Sequence, residues 1–310
     1  MFLSRSPYII FDIQIVFEFL CLVLYVIVIW RILTSRNAKL HNAFYMVFCS
    51  TGIGDIVNIF VHYFLRELFC SICRFDRSII LLLRFCKYLM PTLLLIHIIG
   101  NLMIVLNKYT IVRESGFLNK LWEKRNLIII ITVQWIIPNA AYFYNMFSTI
   151  FIKVFPDETI QFDRISKWSD FLNRLPLIIL SWIFLTMEII FFSTTLTDKR
   201  RKDIIVKDKE KGLLLYILYI IICQFMMNIT LTSRFIMDYV YEDSFLLGIA
   251  MILVSFSIEL NTCVPPIIML ICSKELRTEL FGKMEKRRKA IMISPANSKS
   301  STKSLMLIRY

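Results

Sequence analysis

Asn126-Leu-Ile-Ile-Ile-Ile-Thr132, continued through Val133-Gln-Trp-Ile-Ile-Pro-Asn-Ala-Ala-Tyr-Phe-Tyr-Asn-Met-Phe147, decides the fold. These 22 residues carry no formal charge. At about 1.5 Å per residue, a helix of that length crosses a hydrocarbon core of about 30 Å. In lipid every backbone N–H and C=O needs an internal partner, so only a helix or a closed barrel spans. A barrel strand alternates with period two, and four consecutive isoleucines do not alternate. The stretch reads as a transmembrane helix.

Six more segments of the same kind flank it: 8–33, 43–65, 78–112, 174–197, 213–238 and 245–272. The third is longer than a membrane needs, which predicts tilt or protrusion. The first holds Asp12 and Glu18, lacks a small-residue cleavage site and runs into Arg31, Arg36 and Lys39. It therefore reads as a retained span rather than a signal peptide. The whole chain agrees: 57% of its 310 residues are hydrophobic and only 19% are charged, with a mean hydropathy of +0.66. A soluble enzyme of this length carries a larger charged shell. The expected fold is all-α: a seven-transmembrane helix bundle over 1–272, then an amphipathic helix at 273–290. The tail, 291–310, is expected to be disordered and cytoplasmic, because it is rich in Ser and Lys.

Charge orients the bundle. Segments 31–42, 108–125, 198–211 and 273–310 hold 25 of the 36 Lys and Arg, against 7 on the other side. The positive-inside rule puts the N-terminus outside and the C-terminus in the cytoplasm. The net charge of +13 follows from that asymmetry and suits the anionic inner leaflet, not nucleic acid. After the last span, Leu276, Leu280, Phe281 and Met284 share one helical face while Lys283, Lys286 and Arg287 lie elsewhere on the wheel, as in a helix lying on a bilayer surface. Of eight cysteines only Cys70 and Cys73 fall in an exoplasmic loop; a local disulfide or two free thiols fit better than half a zinc site.

Ionisable side chains inside spans are costly and call for an account. Glu18, Asp55, Glu188 and Glu259 lie near span centres, with His97, Asn101, Gln224, Asn228 and Asn261 at similar depth. They make either a set of packing hydrogen bonds or a hydrated polar seam that rearranges between two states. Arg84, Lys87, Arg174 and Arg234 lie nearer the outer mouth. They either snorkel to headgroups or line a pocket for an anionic, carboxylate-bearing small molecule. In that second reading Met90, Phe235, Tyr239 and Tyr241 supply apolar walls.

Enzyme chemistry has little to work with. The three histidines, His41, His62 and His97, sit at different depths, so no His-based metal site assembles. Neither a Ser-His-Asp grouping nor a phosphate loop is present, and no cofactor is expected. A seven-span transporter or ion-conducting subunit remains the alternative, since intramembrane carboxylates permit coupling to ions, although no internal repeat is evident.

Several motifs sharpen the reading. The third span ends Gly100-Asn-Leu-Met-Ile-Val-Leu-Asn-Lys-Tyr-Thr-Ile-Val112, the second carries Phe44-Tyr45 and Gly52-Ile-Gly-Asp-Ile56, and the seventh ends Asn261-Thr-Cys-Val-Pro-Pro266 before Cys272-Ser-Lys-Glu-Leu-Arg277. In this order the chain resembles, over about residues 8–290, the nematode serpentine chemoreceptors. These are seven-transmembrane G protein-coupled receptors, and class gamma (Srg) and the related class V (Srv) are the nearest. The resemblance implies a plasma-membrane receptor with a small-molecule ligand outside and a heterotrimeric G protein inside. It places Asn107, Lys108 and Tyr109 where the G protein docks, and Asp55 and Asn261 in the seam that rearranges. Lys108 stands where the family usually has Arg, and Lys lacks the planar guanidinium fork. The second exoplasmic loop, 148–173, has no Cys, so the loop disulfide of rhodopsin-like receptors cannot form.

Overall fold

A computed structural model describes residues 6–71, 77–113, 120–147, 151–154, 160–163, 167–201, 208–241 and 244–282. Long helices follow one another: α1 (Ser6–Thr34), α2 (Ala43–Ser71), α3 (Arg77–Arg113), α4 (Lys124–Tyr142), α5 (Lys167–Arg201), α6 (Asp208–Ile236) and α7 (Ser244–Cys263). A short α8 (Pro265–Cys272) continues α7 after a 40° bend, and residues 274–282 form a last helix, α9. Among the described residues six helices are long and apolar enough to span a membrane alone, and α7 with α8 makes the seventh. The chain is a multi-pass membrane protein folded as a seven-helix bundle.

The break at Val264 has a local cause. Pro265 and Pro266 donate no N–H, so the α7 ladder cannot pass through them; Val264 O instead receives Ile267 N and Ile268 N, restarting the helix. The 37 residues of α3 make a rod of about 55 Å, the overlong span that the sequence predicts. It is the central rod of the bundle, packing against α2, α4, α5 and α6. The sequence reading missed one element in the α4–α5 connection: strands β1 (Phe151–Val154) and β2 (Ile160–Asp163) pair antiparallel, with Phe151 opposite Asp163 and Val154 opposite Ile160. The hairpin marks one end of the bundle and α9 the other.

α4 shows why the surroundings are lipid. It turns Leu127, Gln134, Pro138 and Tyr142 inward and leaves Ile128, Ile129, Ile136 and Ile137 about half exposed or more. A glutamine in the core beneath a coat of isoleucine inverts the soluble pattern and is stable only where the solvent is hydrocarbon. Inside, Tyr25, Phe44, Phe48 and Tyr216 pack ring to ring across α1, α2 and α6.

Two glycines set helix spacing. A Cβ on Gly100 would stand 2.0 Å from Thr51 Oγ1 and 2.7 Å from Gln134 Nε2, and one on Gly212 would stand 2.0 Å from the Cys272 carbonyl oxygen. Only the missing side chain lets α3 meet α2 and α4, and lets α6 reach α8, at that range.

The α9 junction is tied down from three directions. Ser273 Oγ lies 2.8 Å from Tyr45 Oη and accepts the Leu276 N–H at 3.1 Å, which caps the helix. Arg31 donates to Glu279 O at 3.3 Å. Leu276 is fully buried, Leu280 packs on the core, and Phe281 is exposed on the side away from it. Met284, Lys283, Lys286, Arg287 and the tail from 291 onward lie outside the described residues, as do Cys73 and the side chain of Cys70.

Candidate functional site

Five helices converge on a cavity of about 140 Å³ in the half of the bundle nearer the hairpin. Its polar edges are Asn58 and His62 from α2, Arg174 from α5 and Arg234 from α6. Its walls are Met90, Pro91 and Leu94 of α3, Leu177 and Ile178 of α5, Leu231 of α6, and Val254 and Ile258 of α7. Pro91 contributes shape: inside α3 its ring displaces a helical hydrogen bond and opens the turn.

The two arginines are brought together by one acid. Asp238, 3% exposed, takes Arg174 Nη1 on Oδ2 at 2.5 Å, and the same oxygen is 3.9 Å from Arg234 Nε. It is presented by a π-helical turn, Met237–Tyr241, that widens the end of α6; such turns recur at functional sites. Of the eight residues that the sequence nominates for the pocket, Met90, Arg174 and Arg234 line the cavity. Phe235 instead packs with Phe171 and Tyr239 in an aromatic cluster, ring centroids 5.3 and 4.8 Å away. Arg84 and Lys87, both half-buried on α3, are not part of the lining. Equal depth gave them to the same group, but depth says nothing of direction around a helix. Asp238, Asn58 and His62 were missed; the spacing of Arg234 and Asp238, four apart on one helix, carried the signal for the acid.

Beneath the cavity a hydrogen-bonded chain crosses four helices. Tyr25 of α1 donates to Asp55 Oδ2 at 2.7 Å, and Asp55 Oδ1 is 2.7 Å from His97 Nδ1. His97 Nε2 meets Asn101 Nδ2 at 2.9 Å, and the same amide reaches Gln224 Oε1 of α6 at 3.4 Å. One assignment satisfies every contact: His97 donates from Nδ1 to the carboxylate and accepts at Nε2, and the Asn101 amide spends its two N–H groups on His97 and Gln224. Asp55, His97, Asn101 and Gln224 are all buried.

The remaining nominated polar residues make separate contacts. Asn228 receives Ser181 Oγ, and Asn261 Nδ2 donates to Cys223 O at 2.9 Å, each pinning a neighbour to α6. Glu18 is buried and Glu259 half-buried, Glu18 near the Cys21 and Cys263 thiols. Glu188 is fully buried and neither oxygen has a hydrogen-bond partner among the described residues. The described hydrogen bonds thus join Asp55, His97 and Asn101 into one chain, with Asn228 and Asn261 in contacts of their own. A second network, unforeseen, binds α2, α3 and α4: Gln134 Nε2 donates to Thr51 Oγ1 and Ile96 O, both at 3.1 Å, and Ser50 Oγ to Gln134 Oε1 at 3.2 Å.

At the α9 end, Asn107, Lys108 and Tyr109 are all buried. Tyr109 stacks on Phe191 of α5 with ring centroids 5.0 Å apart and receives Arg113 on its hydroxyl. Thr110 accepts from Trp122 Nε1 at 2.7 Å. In this conformation α5 and the connection to α4 cover the motif.

Residues 11–280 match the family model described as the Srg family chemoreceptor. None of the curated proteins compared with the chain matches it.

Proposed function

Because the chain belongs to the Srg family of chemoreceptors, a receptor family and not an enzyme family, we propose that it is a G protein-coupled sensor of a small external molecule. The ligand enters from the hairpin side and occupies the cavity between α2, α3, α5, α6 and α7. The observation that carries this reading is the cavity itself: apolar walls from five helices, closed by convergent polar groups, as ligand sites are.

A ligand there touches α5, α6 and α7 together and so favours one packing of the bundle over another, to the extent that it binds the two differently. The Tyr25–Asp55–His97–Asn101–Gln224 chain lies on the route between that cavity and the far end. Separation of α5 from α3 uncovers Tyr109, Lys108 and Asn107 for a heterotrimeric G protein. The receptor sits in the plasma membrane with its N-terminus outside, and α9 rests on the inner leaflet; the excess of Lys and Arg on the α9 side supports that orientation.

The experiment is G protein recruitment in cells challenged with a metabolite panel, with epitope tags at both ends. The proposal expects a tag accessible in intact cells only at the N-terminus, and a response that Lys108→Ala abolishes at equal surface expression. Uptake or current without recruitment points to the transporter or channel alternative and overturns it.

A further inference from the structure

We propose that the cavity takes a small monocarboxylic acid, its carboxylate received by Arg174 and Arg234 and its apolar part no larger than about a benzene ring. The inference rests on the reading of this cavity as the ligand site and adds the chemical class.

Size comes first. An apolar cavity of about 150 Å³ holds benzene, and this one measures about 140 Å³. Acids of about five to seven carbons therefore match it, and a nucleotide does not fit. Apart from four polar side chains at its edges the lining is hydrocarbon, which disfavours fully hydrated anions such as sulfate.

Charge comes second. Two guanidinium groups from different helices face one small apolar space, and a carboxylate complements their planar donor forks better than any neutral group does. Asp238 is the positioning residue. It is not part of the lining, yet its Oδ2 holds Arg174 at 2.5 Å with Arg234 Nε 3.9 Å away. Both guanidinium groups border the cavity although Asp238 does not, so the acid holds them from outside the ligand space. The π-helical turn that carries Asp238 thus aligns α5 and α6 behind the ligand's head.

The test uses the full-length receptor in lipid nanodiscs and reads the thermal-unfolding midpoint against concentration, which converts to affinity by linkage. The probes are benzoate and hexanoate, with benzamide and hexanamide as neutral isosteres. Both acids are expected to raise the midpoint at concentrations about tenfold or more below their amides, the advantage of a charge-assisted pair. Arg174→Gln removes that advantage, and so does Arg174→Lys in part, a variant that keeps the charge should the first fail to fold. Asp238→Asn weakens the acids several-fold, leaves the amides unchanged, and Asp238→Glu restores the acids; a merely structural role would weaken acids and amides alike. Leu231→Trp, which fills the cavity, abolishes binding of both.

If the amides bind as well as the acids, the class is wrong and the cavity reading stands. If neither acids nor amides bind, the class is equally overturned. If the acids still bind to Leu231→Trp, the ligand site itself is elsewhere and both fall.

Discussion

His97 bridges Asp55 on α2 and Asn101 on its own helix, at 2.7 and 2.9 Å, and in doing so connects α1 to α6 through Tyr25 and Gln224. Every member of the chain depends on the next to stay satisfied away from water. Removing one partner strands the other at a cost of about 1–3 kcal/mol. Tyr25→Phe is therefore expected to lower the unfolding free energy by about that amount, and His97→Leu by more, since it takes one partner from each of Asp55 and Asn101. Unfolding of the purified receptor measures both. Equal stability of Tyr25→Phe and wild type would show that the Asp55 contact contributes nothing.

Gly100 predicts a steric effect. Any side chain there meets Thr51 Oγ1 and Gln134 Nε2 inside van der Waals range. Gly100→Ala is expected to destabilise by about 1–3 kcal/mol through overpacking, despite alanine's better helix propensity. Thr51→Gly in the same chain should recover part of the loss. Yield of monodisperse receptor, with its thermal midpoint, reports the outcome.

A third prediction concerns the α9 junction. Tyr45→Phe removes the hydroxyl that meets Ser273 Oγ, and Ser273→Ala removes the cap of α9 as well. The first should cost about 1 kcal/mol and the second up to about 2 kcal/mol. Amide hydrogen exchange should rise over 274–282 in both variants and stay unchanged in α4. Unaltered protection of α9 would mean that Leu276 and Arg31 hold it unaided.

Tyr109 and Phe191 close the far end of the bundle. An aromatic pair contributes about 0.5–1.5 kcal/mol beyond its buried area, which shifts a two-state equilibrium by roughly two- to tenfold. Phe191→Ala is accordingly expected to raise ligand-independent G protein recruitment within that range at matched surface expression. A fall in basal recruitment would place Phe191 on the G protein's own contact surface.

Much of this was readable before any coordinates. Run length and charge gave the helices, although 245–272 reads as one span and the structure breaks it at Pro265-Pro266. The 3.6-residue period put His97 and Asn101 on one face. What the period cannot supply is the identity of the helix opposite: Tyr25 as a partner of Asp55, and Gln134 as the hub of α2, α3 and α4, depend on how seven cylinders are rotated. The same gap explains the cationic group, where Arg174 and Arg234 converge on the cavity while Arg84 and Lys87, at similar depth, do not line it. The β1–β2 hairpin was missed because two four-residue strands carry too few alternations to stand out from a polar loop.

The most direct test separates binding from signalling. A ligand found by recruitment is assayed for both in wild type, in Ile258→Trp, which fills the cavity from α7, and in Lys108→Ala, all at equal surface expression. The account predicts that Ile258→Trp loses binding and response together, whereas Lys108→Ala keeps binding and loses the response. A full response from the cavity-filled receptor would contradict it.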